Sequence, residues 1–174
     1  MFINLSEVFS SEGSKETVEA PVELQSFQSR LGDFPIVEKT PAVFTFTNDG
    51  VNKAKVEGGV RLVLKAGCDR CLAEVPVVLD LKFDRVVTSP EGSTEEEADD
   101  IPDFMEGYQL NTETFVYDEI LVNWPTKILC KEDCKGVCPV CGQNRNLREC
   151  GCDTFVPDPR MAVIKDIFNA NKEV

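Results

Sequence analysis

The 174-residue chain contains no histidine. That single absence removes hydrolase triads with an imidazole base, mixed Cys/His metal sites and His-ligated haem. Any metal chemistry must therefore run through thiolate or carboxylate. Positive charge is also scarce: 18 Lys and Arg stand against 31 Asp and Glu, a formal net charge of −13. A chain so acidic repels phosphate backbones, which disfavours unselective RNA or DNA binding. No stretch approaches the eighteen apolar residues of a membrane span, and the opening residues Met1-Phe-Ile-Asn-Leu-Ser-Glu-Val-Phe9 lack the basic start and continuous apolar run of a signal peptide. These absences predict a cytoplasmic, reducing location. Internal repeats are missing apart from pairs of cysteines.

What is present is ordinary in bulk and unusual in one residue type. A 42% hydrophobic, 28% charged and 8% aromatic composition is that of a folded protein with one core or two small ones. Residues 2–9 alternate loosely and predict an opening strand, whereas 10–20 is rich in Ser, Glu and Lys and predicts a loop. Three β-rich runs follow at 42–47, 51–67 and 75–87, separated by the Asn48-Asp49-Gly50 turn signal and by Cys68/Cys71, which predicts an antiparallel meander with one buried and one wetted face. Pro76 belongs at a strand start or on an edge strand. Between Val86 and Thr126 there is no Lys or Arg, while Glu91 to Glu119 holds eleven acidic residues. This interval, about 88–111 at its loop-like core, is either a solvated acidic loop or a docking segment for a basic partner. A short helix is predicted over 112–123, capped by Asn111 or Thr112, with Phe115, Val116, Ile120 and Leu121 on its apolar side and Pro125 as its stop. A terminal helix is predicted over 157–168, with Asp158 as cap, Pro159 in the first turn and Met161, Ile164 and Phe168 on one face.

The eight cysteines fall at 68, 71, 130, 134, 138, 141, 150 and 152. Cys138-Pro-Val-Cys141-Gly has the form of a zinc knuckle: a two-residue gap lets one tight turn aim both sulfurs at one ion, and Gly142 permits a positive φ just after it. Its natural complement is Cys150-Gly-Cys152, and together they supply a tetrahedral set. Cys68-Asp-Arg-Cys71 is a second such pair, and by elimination its partners are Cys130 and Cys134, whose three-residue gap suits a helical turn or a looser loop. Eight thiols thus make two four-cysteine sites. Competing readings are disulfides, a single zinc with free thiols left over, a redox dithiol, and iron on the same sulfurs. A redox dithiol of the thioredoxin type opens a helix, whereas Val75-Pro76 after Cys71 starts a strand-like run. A closed, all-thiolate zinc site has no open position for water, so no catalysis is expected there.

In order along the chain, Cys68-Asp-Arg-Cys71-Leu, the acidic interval, the helix ending in Trp124-Pro125, Leu129-Cys-Lys-Glu-Asp-Cys-Lys-Gly-Val-Cys-Pro-Val-Cys-Gly142, Asn144 to Leu147, Cys150-Gly-Cys152 and Asp158-Pro-Arg160 resemble the YceD-like large ribosomal RNA subunit accumulation proteins. The resemblance covers residues 36–170. It departs at Arg145, where a Leu is common in that family. Members that keep the first pair and a later thiol or imidazole pair but lack the knuckle imply two separable sites, with 68/71 joined to 130/134. The resemblance further implies a role in accumulating or processing large-subunit ribosomal RNA. Two filled zinc sites would bring the formal charge to about −17, which favours docking of a basic ribosomal or assembly protein over coating of RNA. A local grip on RNA would fall to Lys131, Lys135, Arg145 and Arg148, with Lys127 nearby, unless these serve to neutralise the metal thiolates.

The sequence therefore predicts a non-enzymatic α+β protein: an antiparallel sheet with an acidic loop and short helix over 1–125, and a cysteine-rich, zinc-binding lobe with a terminal helix over 126–174 packed on it. Its expected partner is the ribosomal precursor particle, with no membrane and no small-molecule substrate. The reading from another class is a thiol-disulfide or iron-sulfur redox protein. A nuclease using the acidic stretch 95–100 is disfavoured, because its spacing sets no two carboxylates on a metal with a base nearby.

Overall fold

The computed structural model describes residues 1–91 and 102–153. Two compact units are present: residues 1–67 with 74–128, and 68–73 with the chain from 129 onward. Among the described residues no helix is long and apolar enough to cross a membrane. The expected helix over 157–168 and the acidic stretch 95–100 lie outside the described residues.

The first unit is mostly antiparallel β-sheet, with β1 (Phe2–Asn4), α1 (Ser6–Ser10), β2 (Lys15–Ala20), β3 (Ser26–Ser29), β4 (Gly32–Lys39), β5 (Ala42–Asn48), β6 (Lys53–Gly67), β7 (Glu74–Thr88), β8 (Met105–Glu106), β9 (Gln109–Asn111) and α2 (Thr112–Val122). β6 organises the six-stranded sheet. Its first half pairs with β5, its second half pairs with β4, and β7 pairs with its whole length from Lys53↔Thr88 to Gly67↔Glu74. β2 extends the sheet beyond β5, and β3 extends it beyond β4. The β5–β6–β7 meander follows the three β-rich runs, and Pro76 lies near the start of β7, opposite Lys65. Even-numbered residues of β6 and odd-numbered residues of β7 turn to the core, among them Val60, Leu62 and Leu64 against Leu81, Leu79 and Val77. This is the period-two burial expected of a half-wetted sheet.

The middle of β6 requires glycine. A Cβ on Gly58 would collide with the carbonyl oxygen of Val43 and approach the Phe83 ring to 2.7 Å, and one on Gly59 would sit 2.8 Å from the carbonyl oxygen of Leu81. The space left by Gly58 is filled by Phe83, which meets Phe115 of α2 edge-on at 4.9 Å between ring centroids, while Phe44 and Phe104 contact the same Phe115 ring. Edge-to-face packing of this kind adds about 1 kcal/mol per pair beyond area burial.

The helix α2 starts where Asn111 accepts from the backbone N–H groups of Glu113 and Thr114. Phe115, Val116 and Ile120 are buried, but Leu121 is exposed, contrary to the expected apolar stripe. Two acidic residues of this region are occupied internally. Glu113 accepts the backbone N–H groups of Glu23 and Leu24, both at 3.0 Å, and the buried carboxylate of Glu119 takes Arg85 Nε at 2.8 Å.

Three local expectations are corrected. The opening strand ends at Asn4, because Asn4 Oδ1 accepts the Ser6 N–H and hydroxyl and starts the short helix α1, whose Val8 and Phe9 are buried. Residues 15–20 form strand β2 rather than loop, since each residue finds a partner on β5 despite the charged composition. Part of the acidic interval is a hairpin: β8 pairs with β9, and β9 pairs with β1, burying Met105 and Leu110.

Candidate metal centres

All eight cysteines belong to the second unit and are free thiols. The first knuckle occupies the six residues joining β6 to β7. There the Cys68 N–H donates to the Ala73 carbonyl at 2.8 Å and the Leu72 N–H to the Cys68 carbonyl at 2.9 Å. The second knuckle repeats the pattern: the Cys138 N–H donates to the Gln143 carbonyl and the Gly142 N–H to the Cys138 carbonyl, both at 2.8 Å. The residue after each second cysteine is left-handed, Gly142 at φ 72° and Leu72 at φ 61°. In both knuckles the tight turn points two sulfurs the same way.

The structure brings Cys68, Cys71, Cys130 and Cys134 into one group and Cys138, Cys141, Cys150 and Cys152 into another, with the sulfurs of each group within 4.8 Å of one another. Cys68 Sγ lies 3.8 Å from Cys134 Sγ, and Cys71 Sγ lies 3.5 Å from Cys130 Sγ. A tetrahedron with metal–sulfur arms of about 2.3 Å has edges of about 3.8 Å, so these separations fit four thiolates on one ion, while a disulfide would need about 2.05 Å. The 130/134 gap is spanned by a turn in which the Cys134 N–H donates to the Lys131 carbonyl at 3.2 Å, not by a helix. The two centres differ in exposure. In the first, only Cys130 is exposed; in the second, only Cys138 is buried.

The electrostatics of each group call for a cation. Burial works against ionisation of Cys68, yet backbone N–H groups of Arg70, Cys130 and Cys71 prevail and hold its thiol at about 6. Cys138 is held at about 6 by the backbone N–H groups of Cys141 and Val140, against burial. Cys134 is lowered as well, burial being outweighed by the Asn146 amide and the Gly136 N–H, whereas Cys130 is pushed up to about 12 by sharing protons with Cys134 and Cys71, and Cys152 to about 12 chiefly by Cys141. Four crowded thiols cannot all ionise unaided, and a divalent ion that accepts thiolate relieves the conflict.

Three groups around the sulfurs were not singled out by sequence. Arg70 Nη1 donates to the Cys134 carbonyl at 2.9 Å, and the Arg70 carbonyl accepts the Val137 N–H at 2.9 Å. Asn146 Nδ2 lies 3.2 Å from Cys134 Sγ, and Asn144 Oδ1 accepts from both the backbone and the side chain of Asn146. Polar residues inside a cysteine motif are the available signal, since metal thiolates need donors around them. As for the basic residues, Lys131 pairs with Asp133 at 3.8 Å and Lys135 with Glu149 at 3.1 Å, while Arg145 and Arg148 are exposed. Lys135, helped by Arg145, holds the Glu149 carboxyl below the usual carboxylate range.

A family model described as Large ribosomal RNA subunit accumulation protein YceD matches residues 56–168. No curated protein and no solved structure matches the chain.

Proposed function

This chain belongs to the YceD family of large ribosomal RNA subunit accumulation proteins, and from that premise we propose that it is a non-enzymatic, zinc-binding accessory factor of large-subunit biogenesis, acting in the cytoplasm. The observation that carries the metal half is the pair of four-sulfur groups, with separations of 3.5 and 3.8 Å in the first. An all-thiolate donor set suits zinc, which has no geometric preference from its d-electrons and accepts a closed tetrahedron. Bound there, zinc supplies cross-linking rather than chemistry. Cys68, Cys71, Cys130 and Cys134 hold one ion, and Cys138, Cys141, Cys150 and Cys152 the other. Metal analysis of purified protein tests this. Two zinc ions per chain are expected; a ratio near one with four titratable thiols removes one site, and iron with visible absorption replaces this reading with the redox one.

The partner in this reading is a basic ribosomal or assembly protein on the precursor particle, docked on the acidic interval. With Glu113 and Glu119 occupied inside the fold, the docking charge falls to the acidic residues of 91–106 and to Asp118. Replacing Glu95, Glu96, Glu97, Asp99 and Asp100 by Gln or Asn should abolish co-purification with ribosomal precursors without unfolding the protein. If the cysteine lobe grips RNA instead, charge reversal at Lys131, Lys135, Arg145 and Arg148 should do so, and binding to protein-free large-subunit RNA should be tight and fall steeply with salt.

A further inference from the structure

We propose that Asn146 is a positioning residue that couples the two metal centres, so that loading the exposed centre raises the metal affinity of the buried one. The inference rests on the zinc reading above. Asn146 lies between Cys141 and Cys150, in the stretch that the exposed centre closes into a loop. Its side chain nevertheless serves the other centre: Nδ2 donates to Cys134 Sγ at 3.2 Å, and Oδ1 accepts the Lys135 N–H at 2.9 Å. Asn144, in the same loop, fixes that side chain through Oδ1, which takes Asn146 N–H at 2.9 Å and Nδ2 at 3.0 Å. Two backbone links run parallel to this path, with the Arg145 N–H donating to the Gly136 carbonyl and the Val137 N–H to the Arg70 carbonyl, both at 2.9 Å.

Residues 142–149 contain one aliphatic side chain, Leu147, and it is 83% exposed. The loop has no core of its own to set its shape, so its order depends on the ion shared by its two ends. With that ion absent, the loop relaxes and the amide leaves Cys134, whose thiolate then lacks a donor. With the ion present, the amide is held in place before the buried centre binds. Coupling of this kind is reciprocal: metal at the buried centre fixes Cys134, which holds Asn146 and so favours closure of the exposed centre.

The test uses the full chain, Co2+ as optical probe and Zn2+ in competition with a chelator. Removing the exposed centre with Cys150→Ser and Cys152→Ser should weaken metal binding at Cys68, Cys71, Cys130 and Cys134 about tenfold, the lower end of what loss of an outer hydrogen bond to a metal ligand causes. Asn146→Ala with the exposed centre intact should give a similar loss, and combining the three changes should add little. Asn146→Asp keeps an acceptor for Lys135 but puts an oxygen where the thiolate needs a donor, so it should lose at least as much. The sulfur-to-Co2+ charge-transfer band of the buried centre should move to lower energy in both Asn146 variants while the exposed centre keeps its spectrum, a signature that general loosening of the lobe would not give. Unchanged affinity and band position in Asn146→Ala, or fully additive losses, would overturn the coupling. Failure of the unmodified protein to take up either ion overturns the metal reading itself and the coupling with it.

Discussion

The two sulfur centres share a donor set and a knuckle, yet they differ in what surrounds the sulfur. At Cys68, Cys71, Cys130 and Cys134 three of four side chains are buried, Arg70 braces the Cys134 carbonyl and Asn146 donates to its sulfur. At Cys138, Cys141, Cys150 and Cys152 three side chains reach solvent. Equal ligands in unequal settings need not hold their ions equally: the tetrahedron selects the metal, whereas burial and outer donors set how tightly it is held and how readily a chelator or a proton reaches it. The sharpest break of this comparison is chelation. The exposed centre should lose its ion first, so that metal content passes through one per chain on the way to none; simultaneous loss from both would erase the distinction.

Removal of a ligand should have the next largest effect. Zinc binding in small cysteine-rich modules is worth on the order of 10 kcal/mol at neutral pH, and residues 126–156 contain few large apolar side chains to replace it. Cys138→Ser should therefore disorder the lobe around it while the sheet amides of residues 36–67 and 74–87 stay protected from exchange. Loss of protection throughout would show that the two units unfold as one. The converse change is Gly58→Ala in the sheet, where the added methyl meets the Val43 carbonyl and Phe83. Overpacking of this kind costs about 1–3 kcal/mol. Denaturant midpoints should fall, and zinc content should stay the same.

Proton counting sharpens the comparison further. In the metal-free protein Cys68 and Cys138 are each held at about 6, so near pH 7 at least one thiol of each centre is already mostly ionised. Zinc uptake should then release fewer than four protons per centre at pH 7, and the number should rise toward four as pH falls through 6. The sign follows from mass action: below that pH more protons must be displaced, so affinity drops more steeply. Calorimetry in buffers of different ionisation enthalpy would measure it, and four protons per centre at both pH values would contradict the low-lying thiols.

How much of this was legible in the sequence follows from the range of each interaction. The two knuckles are readable because a two-residue gap between thiols encodes a turn locally, the other two pairs then fall to them by nearness and elimination, and β5, β6 and β7 are readable because their burial alternates along the chain. Strands β2, β3 and β4 were not. Lys15-Glu-Thr-Val-Glu-Ala20 and Gly32-Asp-Phe-Pro-Ile-Val-Glu-Lys39 carry charges and a proline that argue for loop, and only pairing with β5 and β6 overrides those local preferences. The acidic count between Glu91 and Glu119 likewise could not reveal that Glu113 holds the backbone N–H groups of Glu23 and Leu24 or that Glu119 is buried against Arg85, since both partners lie far away in sequence. Asn146 was visible as a residue but not as a donor, because its acceptor is a sulfur of the other centre.

The smallest expected effect concerns the position just after the second cysteine of each knuckle. Leu72 and Gly142 both donate their N–H to the first cysteine of their turn and both sit at positive φ, but only Gly142 is free of the steric cost of a Cβ there. Left-handed backbone costs a non-glycine residue about 1–2 kcal/mol, and Leu72 recovers little of it by packing, being 76% exposed. Leu72→Gly removes that strain but also loosens the unfolded chain, which offsets about 0.4–1 kcal/mol. The net should be a gain of roughly 0.5 kcal/mol in stability of the zinc-loaded lobe, since relief of strain slightly exceeds the added entropy. Gly142→Ala should do the reverse: its Cβ would meet nothing within 4 Å, so only the φ penalty remains. Thermal denaturation of the two variants side by side measures both signs. If Leu72→Gly is clearly destabilising instead, the leucine side chain makes a contact that outweighs its backbone strain, and the first knuckle is not a costlier copy of the second.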